Sequence, residues 1–77
     1  MLEVGHEFER NGINYCVVDI VDYENKSYCL LSIEKENEKI SFAFYEYKVE
    51  MNGDFTLDSV EDEELISKLF DIFEERK

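Results

Sequence analysis

Two thiols, one imidazole and twenty carboxylates are the groups in this chain that could hold a metal or move a proton. Cys16 and Cys29 belong to no Cys-x-x-Cys pair, and His6 stands alone with no second histidine at helical spacing. A zinc centre takes three or four such ligands at short, regular intervals, so this inventory points to no metal. Carboxylate pairs can serve as acid and base. With twenty acids in 77 residues, however, close pairs are inevitable and their presence carries no information. Neither a glycine-rich phosphate loop nor an Asp-x-Asp-x-Asp-Gly calcium loop occurs. The chain reads as non-enzymatic, without cofactor.

The carboxylates matter first as charge. Twenty acids against eight bases give a net charge of −12, which repels nucleic acids and anionic membranes and draws basic partners. Residues 1–55 hold 12 acids and 5 bases, and residues 56–77 hold 8 and 3, so the acidity is spread rather than gathered in a tail. Its densest run is Glu61, Asp62, Glu63 and Glu64. Carboxylates there satisfy exposed N–H groups and the positive end of a helix dipole, with Asp58, Ser59 or Asp62 as the N-cap and Val60 and Leu65 as a hydrophobic staple. Four in a row exceed what a cap requires, which leaves an electrostatic contact as the second reading. Further acids for such a contact are Glu34, Glu36 and Glu38 at one sheet end, and Glu46, Glu50 and Asp54 along another edge. Rows of carboxylates spaced like phosphates would make the protein a nucleic-acid mimic: an acidic inhibitor, such as a phage anti-defence protein of the anti-CRISPR kind, that blocks a basic nucleic-acid-binding protein.

The elements that position these groups follow from periodicity. Asn11-Gly12 is a two-residue hairpin signal, since both positions accept a positive φ. INYCVVDIVD (13–22) and SYCLLSIE (27–34) alternate as strands do about a turn centred on Glu24-Asn25. That turn sets Cys16 opposite Ile33, Val18 opposite Leu31 and Ile20 opposite Cys29. A second turn near Glu36-Asn37 sets Ile33 opposite Ile40, Leu31 opposite Phe42 and Cys29 opposite Phe44, so that one apolar face runs across three strands. KISFAFYEYKV (39–49) is the longest strand, and Met51-Asn52-Gly53-Asp54 turns it into FTLD (55–58). Leu65, Ile66, Leu69, Phe70 and Phe73 then recur at helical spacing. The expected fold is α+β: an antiparallel meander of four to five strands with one C-terminal helix packed on one face. It forms a single domain over 1–77, with strands about 6–58 and the helix about 61–76.

One helix covers only one face of such a sheet. The opposite face is expected to carry Tyr15, Val17, Val21, Tyr28, Leu30, Ala43, Tyr45 and Tyr47, with Tyr28 opposite Tyr45 and Leu30 opposite Ala43. Tyrosines on a solvated face can stabilise the sheet through cross-strand contacts alone. They also make good contact surface, being large, polar at the tip and rotationally stiff. Tyr15, Tyr28, Tyr45 and Tyr47 are therefore the candidate partner-binding residues, for another protein or for a second copy in a homodimer. In the same register Cys16 and Cys29 lie about four residues apart along neighbouring strands, roughly 13 Å, too far for a disulfide.

No stretch is apolar for long enough to span a membrane, and MLEVGHEFER lacks the basic flank and apolar core of a signal peptide, so the expected location is the cytoplasm. Taken in order, FERNGINYCVVDIVDYENKSYCLL, EKISFAFYEY and LDSVEDEELISKLFDIFEE resemble the uncharacterised YrzB-like family, domain of unknown function 1292. The resemblance covers roughly residues 6–75 and is most specific at Val60-Glu61-Asp62-Glu63-Glu64. It implies a bacterial or bacterial-virus origin and a cytosolic setting. The family has no established activity, so no functional residue is carried over.

Overall fold

The computed structural model describes residues 2–36 and 39–76. Five strands and one helix follow in chain order: β1 (Glu7–Arg10), β2 (Ile13–Tyr23), β3 (Lys26–Glu34), β4 (Ser41–Val49), β5 (Phe55–Ser59) and α1 (Glu63–Glu75). The strands form one antiparallel meander in the order β1-β2-β3-β4-β5, and α1 packs on one of its faces. This is the expected α+β architecture. Two of its turns sit where the sequence puts them. Asn11 and Gly12 have φ of 55° and 78°, and Glu24 and Asn25 have 49° and 66°, the left-handed pairs that let a two-residue turn follow the twist of its strands.

The register departs from expectation at two places. Ile20 does face Cys29, but pairing shifts between Val17 and Asp19, leaving Val18 as an extra residue on β2. Before this bulge Val17 faces Leu31 and Cys16 faces Ser32, not Leu31 with Val18 and Ile33 with Cys16. Between β3 and β4 the whole register is displaced by one. Cys29 faces Tyr45, Leu30 faces Phe44, Leu31 faces Ala43 and Tyr28 faces Glu46. The expected pairs Ile33–Ile40, Leu31–Phe42 and Cys29–Phe44 do not form, nor do Tyr28–Tyr45 and Leu30–Ala43. The last pair, Ile33 with Ser41, is closed by the odd-numbered segment 34–40 in place of an even-numbered tight turn. A slip of one residue reverses every side chain of a strand, so β3 is turned over: Tyr28 and Leu30 face the helix and Cys29, Leu31 and Ile33 face away, while β4 keeps Phe44 toward the helix and Tyr45 and Tyr47 away from it as expected. The turn centre near Glu36-Asn37 lies partly outside the described residues.

Two apolar clusters result, one on each side of the sheet. Under α1 lie Val21, Tyr28, Leu30, Phe44 and Leu69, joined by Val18, Tyr23, Val60, Leu65, Ile66, Ile72 and Phe73. On the opposite side lie Leu2, Val17, Cys29 and Leu31, with Phe8, Tyr15, Ile20, Ile33, Tyr45, Tyr47, Phe55 and Leu57 around them. The bulge explains how β2 serves both: Val18 and Val21 turn to the helix, while Val17 and Ile20 turn away from it.

The second face needs no second helix because the sheet curls over it. Phe8 on β1 and Phe55 on β5, from opposite edges of the sheet, meet edge-to-face with ring centroids 5.8 Å apart. The Arg10 guanidinium lies over both rings, 5.5 and 5.1 Å from their centroids, a contact worth roughly 0.5–1 kcal/mol per ring at such exposure. The chain before β1 completes the cover. Gly5 N–H donates to the Val17 carbonyl and Val17 N–H to the His6 carbonyl, and Leu2 is 2% exposed in the concave cluster.

The helix is held at both ends. Asp62 caps it, accepting from the Glu64 and Leu65 N–H groups at 3.0 and 3.5 Å, and Glu63 and Glu64 occupy the first turn. At the other end the Arg76 guanidinium donates to the Ile20 carbonyl at 2.7 Å and stands 3.5 Å from the Asp19 carboxylate. That bond ties the helix C-terminus to β2 just past the bulge.

Candidate functional site

The four tyrosines do not share a surface. Tyr28 is 4% exposed beneath α1, because the displaced β3–β4 register turns it toward the helix with Glu46 opposite. Burial is the main reason its phenol is harder to ionise than usual, with Glu46 and Glu24 adding to the effect. Tyr15, Tyr45 and Tyr47 lie half-buried in the concave cluster. Tyr15 stacks on Phe8 at 5.1 Å, and burial also raises the pKa of Tyr45. The concave face that holds these three is thus occupied by Leu2, Phe8 and Phe55, and is not an open sheet.

The candidate acids are similarly dispersed. Glu34 is exposed at the end of β3, and Glu36 follows it in the connection; Glu38 lies outside the described residues. Glu46 stands on the helix side of β4 with Lys26 and Lys48 at 3.9 and 3.6 Å. Glu50 and Asp54 close the β4–β5 turn, where Glu50 N–H donates to the Asp54 carbonyl at 2.7 Å. Glu61 leads into the cap, Asp62 is the cap, and Glu63 and Glu64 follow in the first turn. Among the described residues these acids are divided between the end of β3, the helix side of β4, the β4–β5 turn and the start of α1. The thiols are both free and face opposite ways: Cys29 points into the concave cluster, where burial pushes its pKa up to about 11, and Cys16 pairs with Ser32 on the helix side.

A different feature brings side chains together. An open groove of about 620 Å³ runs between α1 and β4. The sheet contributes Val18, Leu30, Phe42, Ala43 and Phe44; Val60 closes one end; and Ile66, Phe70, Phe73 and Glu74 form the helix wall. Phe42 is 63% exposed and Phe70 49%, so two large aromatic rings stand at the surface of a nearly all-apolar channel. The cause is geometric. A helix about 10 Å across cannot roof five strands spaced about 4.8 Å apart. Because α1 is pinned over β2 by Arg76, the outer side of β4 stays bare. Periodicity alone assigns Phe42 and Phe70 to the core. The surplus of aromatic residues over what one helix stripe can cover was the available signal.

Beyond Phe42, which faces Ser32 across the strands, the same side of the sheet continues into a depression of about 400 Å³, lined in part by Glu7, Glu9, Cys16, Ser32, Glu34 and Ile40. Apolar groove and acidic depression meet along the approach to β4, where Ile40 is 57% exposed.

Fold and surface together define a small acidic α+β domain, a curled antiparallel meander with one helix and an uncovered apolar groove beside it. The chain belongs to the family described as protein of unknown function (DUF1292), whose match spans residues 2–76, in agreement with the resemblance read from the sequence. No curated protein and no solved structure is matched. Among the described residues, no helix is long and apolar enough to cross a membrane.

Proposed function

We propose that this protein is a non-enzymatic interaction module, acting in the cytoplasm, that binds a protein partner through the groove between α1 and β4. The observation that carries this reading is the exposure of Phe42 and Phe70 along one continuous apolar channel. Small proteins bury such rings when they can, and a contiguous apolar patch left at the surface is typical of binding sites. Aromatic anchors set in a concave apolar surface with a polar margin are also the usual energetic centre of an interface. The experiment is affinity capture from a bacterial lysate with the wild-type protein and with the Phe42→Ser, Phe70→Ser double variant. Both rings are exposed, so the variant should keep its circular-dichroism spectrum and melting point. A partner held by the wild type and lost from the variant supports the groove. Identical captures from both would refute it.

A second reading, an acidic inhibitor that occupies the site of a basic nucleic-acid-binding protein, draws on the depression edged by Glu7, Glu9 and Glu34. It calls for capture that weakens steeply with salt, competes with DNA or RNA, and survives loss of the two phenylalanines.

A further inference from the structure

We propose that the groove takes a basic amphipathic helix of the partner, laid along α1 with its apolar stripe between α1 and β4. This deepens the interaction reading above and rests on it.

Hydrogen bonding selects the conformation of the occupant. β4 pairs with β3 from Ser41 to Tyr47 and with β5 from Tyr45 onward, and the Phe44 carbonyl accepts from the Val60 N–H, so the groove offers at most the edge of Ser41, Phe42 and Ala43, shorter than the usual strand. A segment buried on apolar side chains must then satisfy its own backbone N–H and C=O groups, which a helix does and an extended peptide does not. The dimensions agree. From Ile66 to Phe73 the helix wall rises about 10 Å, two turns, the interval over which a partner helix repeats anchors at i, i+3 or i+4, and i+7.

Charge selects the polar side of that helix. Glu63 lies three residues before Ile66 and seven before Phe70, on the same stripe of α1, and Glu74 lines the other end of the channel. Across Phe42 the surface runs on to Glu7, Glu9 and Glu34. The described bases of α1 face elsewhere. Lys68 lines a depression on the opposite flank with Tyr23 and Lys26, and Arg76 is anchored to β2. The result is an apolar slot edged by carboxylates. It disfavours a second copy of the chain, which would bring −12 against −12, and favours a partner with lysine or arginine flanking its apolar stripe.

The test uses the full chain and three labelled 18-residue peptides. One carries leucine at i, i+3, i+4 and i+7 with lysine elsewhere. The second has the same composition with its four leucines at alternate positions, i, i+2, i+4 and i+6. The third has the first pattern with glutamate in place of lysine. Fluorescence anisotropy should show the helical lysine peptide binding at least tenfold more tightly than either control, with a gain of helical circular dichroism on binding. Phe42→Ser with Phe70→Ser should weaken it at least tenfold. Equal binding of the alternating peptide would show that charge alone attracts it, and equal binding of the glutamate peptide would remove the charge argument; either overturns the proposal. So would sedimentation showing that the wild type dimerises and the double variant does not, since the occupant would then be a second copy. If no peptide binds while a lysate partner still depends on Phe42 and Phe70, the groove stands as an interface and only the helical occupant falls. If neither depends on the two rings, both readings fall.

Discussion

Cys29 shows how far one position is governed by its surroundings. It is 0% exposed, with Ile20 and Tyr45 as its cross-strand neighbours, and its thiol is pushed from 9.0 up to about 11 by burial. The unfolded chain gives up that proton near pH 9, while the native state holds it until about pH 11. Stability is therefore undiminished by this group below pH 9 and falls as pH climbs from 9 to 11. In urea unfolding at a series of pH values, Cys29→Val should flatten that fall by on the order of 2 kcal/mol. Tyr28 and Tyr45, both raised above 10.0, keep the remaining alkaline sensitivity at the upper end of the range. At pH 8 an aromatic disulfide reagent should modify half-buried Cys16 first, and Cys29 only on unfolding. Equal rates at the two thiols would place Cys29 outside the core.

At the scale of elements, the acidic run before the helix resolves into distinct roles. Asp62 bonds two otherwise free N–H groups, Glu63 and Glu64 sit at the positive end of the dipole, and Glu61 makes no capping bond. Asp62→Ala should accordingly cost about 0.5–2 kcal/mol in chemical unfolding, and Glu61→Gln close to nothing. A larger cost at Glu61 than at Asp62 would contradict this assignment. The staple is offset from expectation. With Asp62 as the cap, the residues placed to form it are Glu61 and Ile66, while Val60, like Leu65 and Ile66, packs against the buried cluster under α1. β2 offers the parallel case. The alternation in INYCVVDIVD is genuine on each side of Val18, but a bulge joins two alternating runs out of phase, and no count of apolar residues reports the phase change.

For the whole molecule, closure by curling carries the largest consequence. A five-stranded sheet with one helix leaves one face to be covered, and here the edges approach until Phe8 and Phe55 touch, with Leu2 beneath. Phe55→Ala removes that bridge and one of the two rings under Arg10. It should cost about 1–3 kcal/mol and speed amide hydrogen exchange in β1 and residues 5 and 6 more than in β3. Unchanged exchange in β1 would mean that pairing with β2 alone holds this edge. The same closure explains why the tyrosines are a poor guide to a binding surface, since Tyr15, Tyr45 and Tyr47 are spent lining the concave cluster. The exposed aromatic rings are instead Phe42 and Phe70, on the two walls of the groove beside the helix.

Local chemistry settled much of this protein in advance. Asn11-Gly12 and Glu24-Asn25 had to turn, the 3.6-residue spacing from Leu65 to Phe73 had to be a helix, and alternating runs between turn signals had to be an antiparallel meander. Each of these depends on neighbours within a few residues, which is why it is written in one dimension. Which face each strand presents was decided only in three dimensions, by the bulge at Val18 and the odd connection through 34–40. Both shift the pairing by one residue, and a one-residue shift leaves the alternation within each strand unchanged. The groove is a product of the same decision. Phe42 and Phe70 became surface because Arg76 fixes α1 over β2, and a contact across 56 positions of chain leaves no local trace.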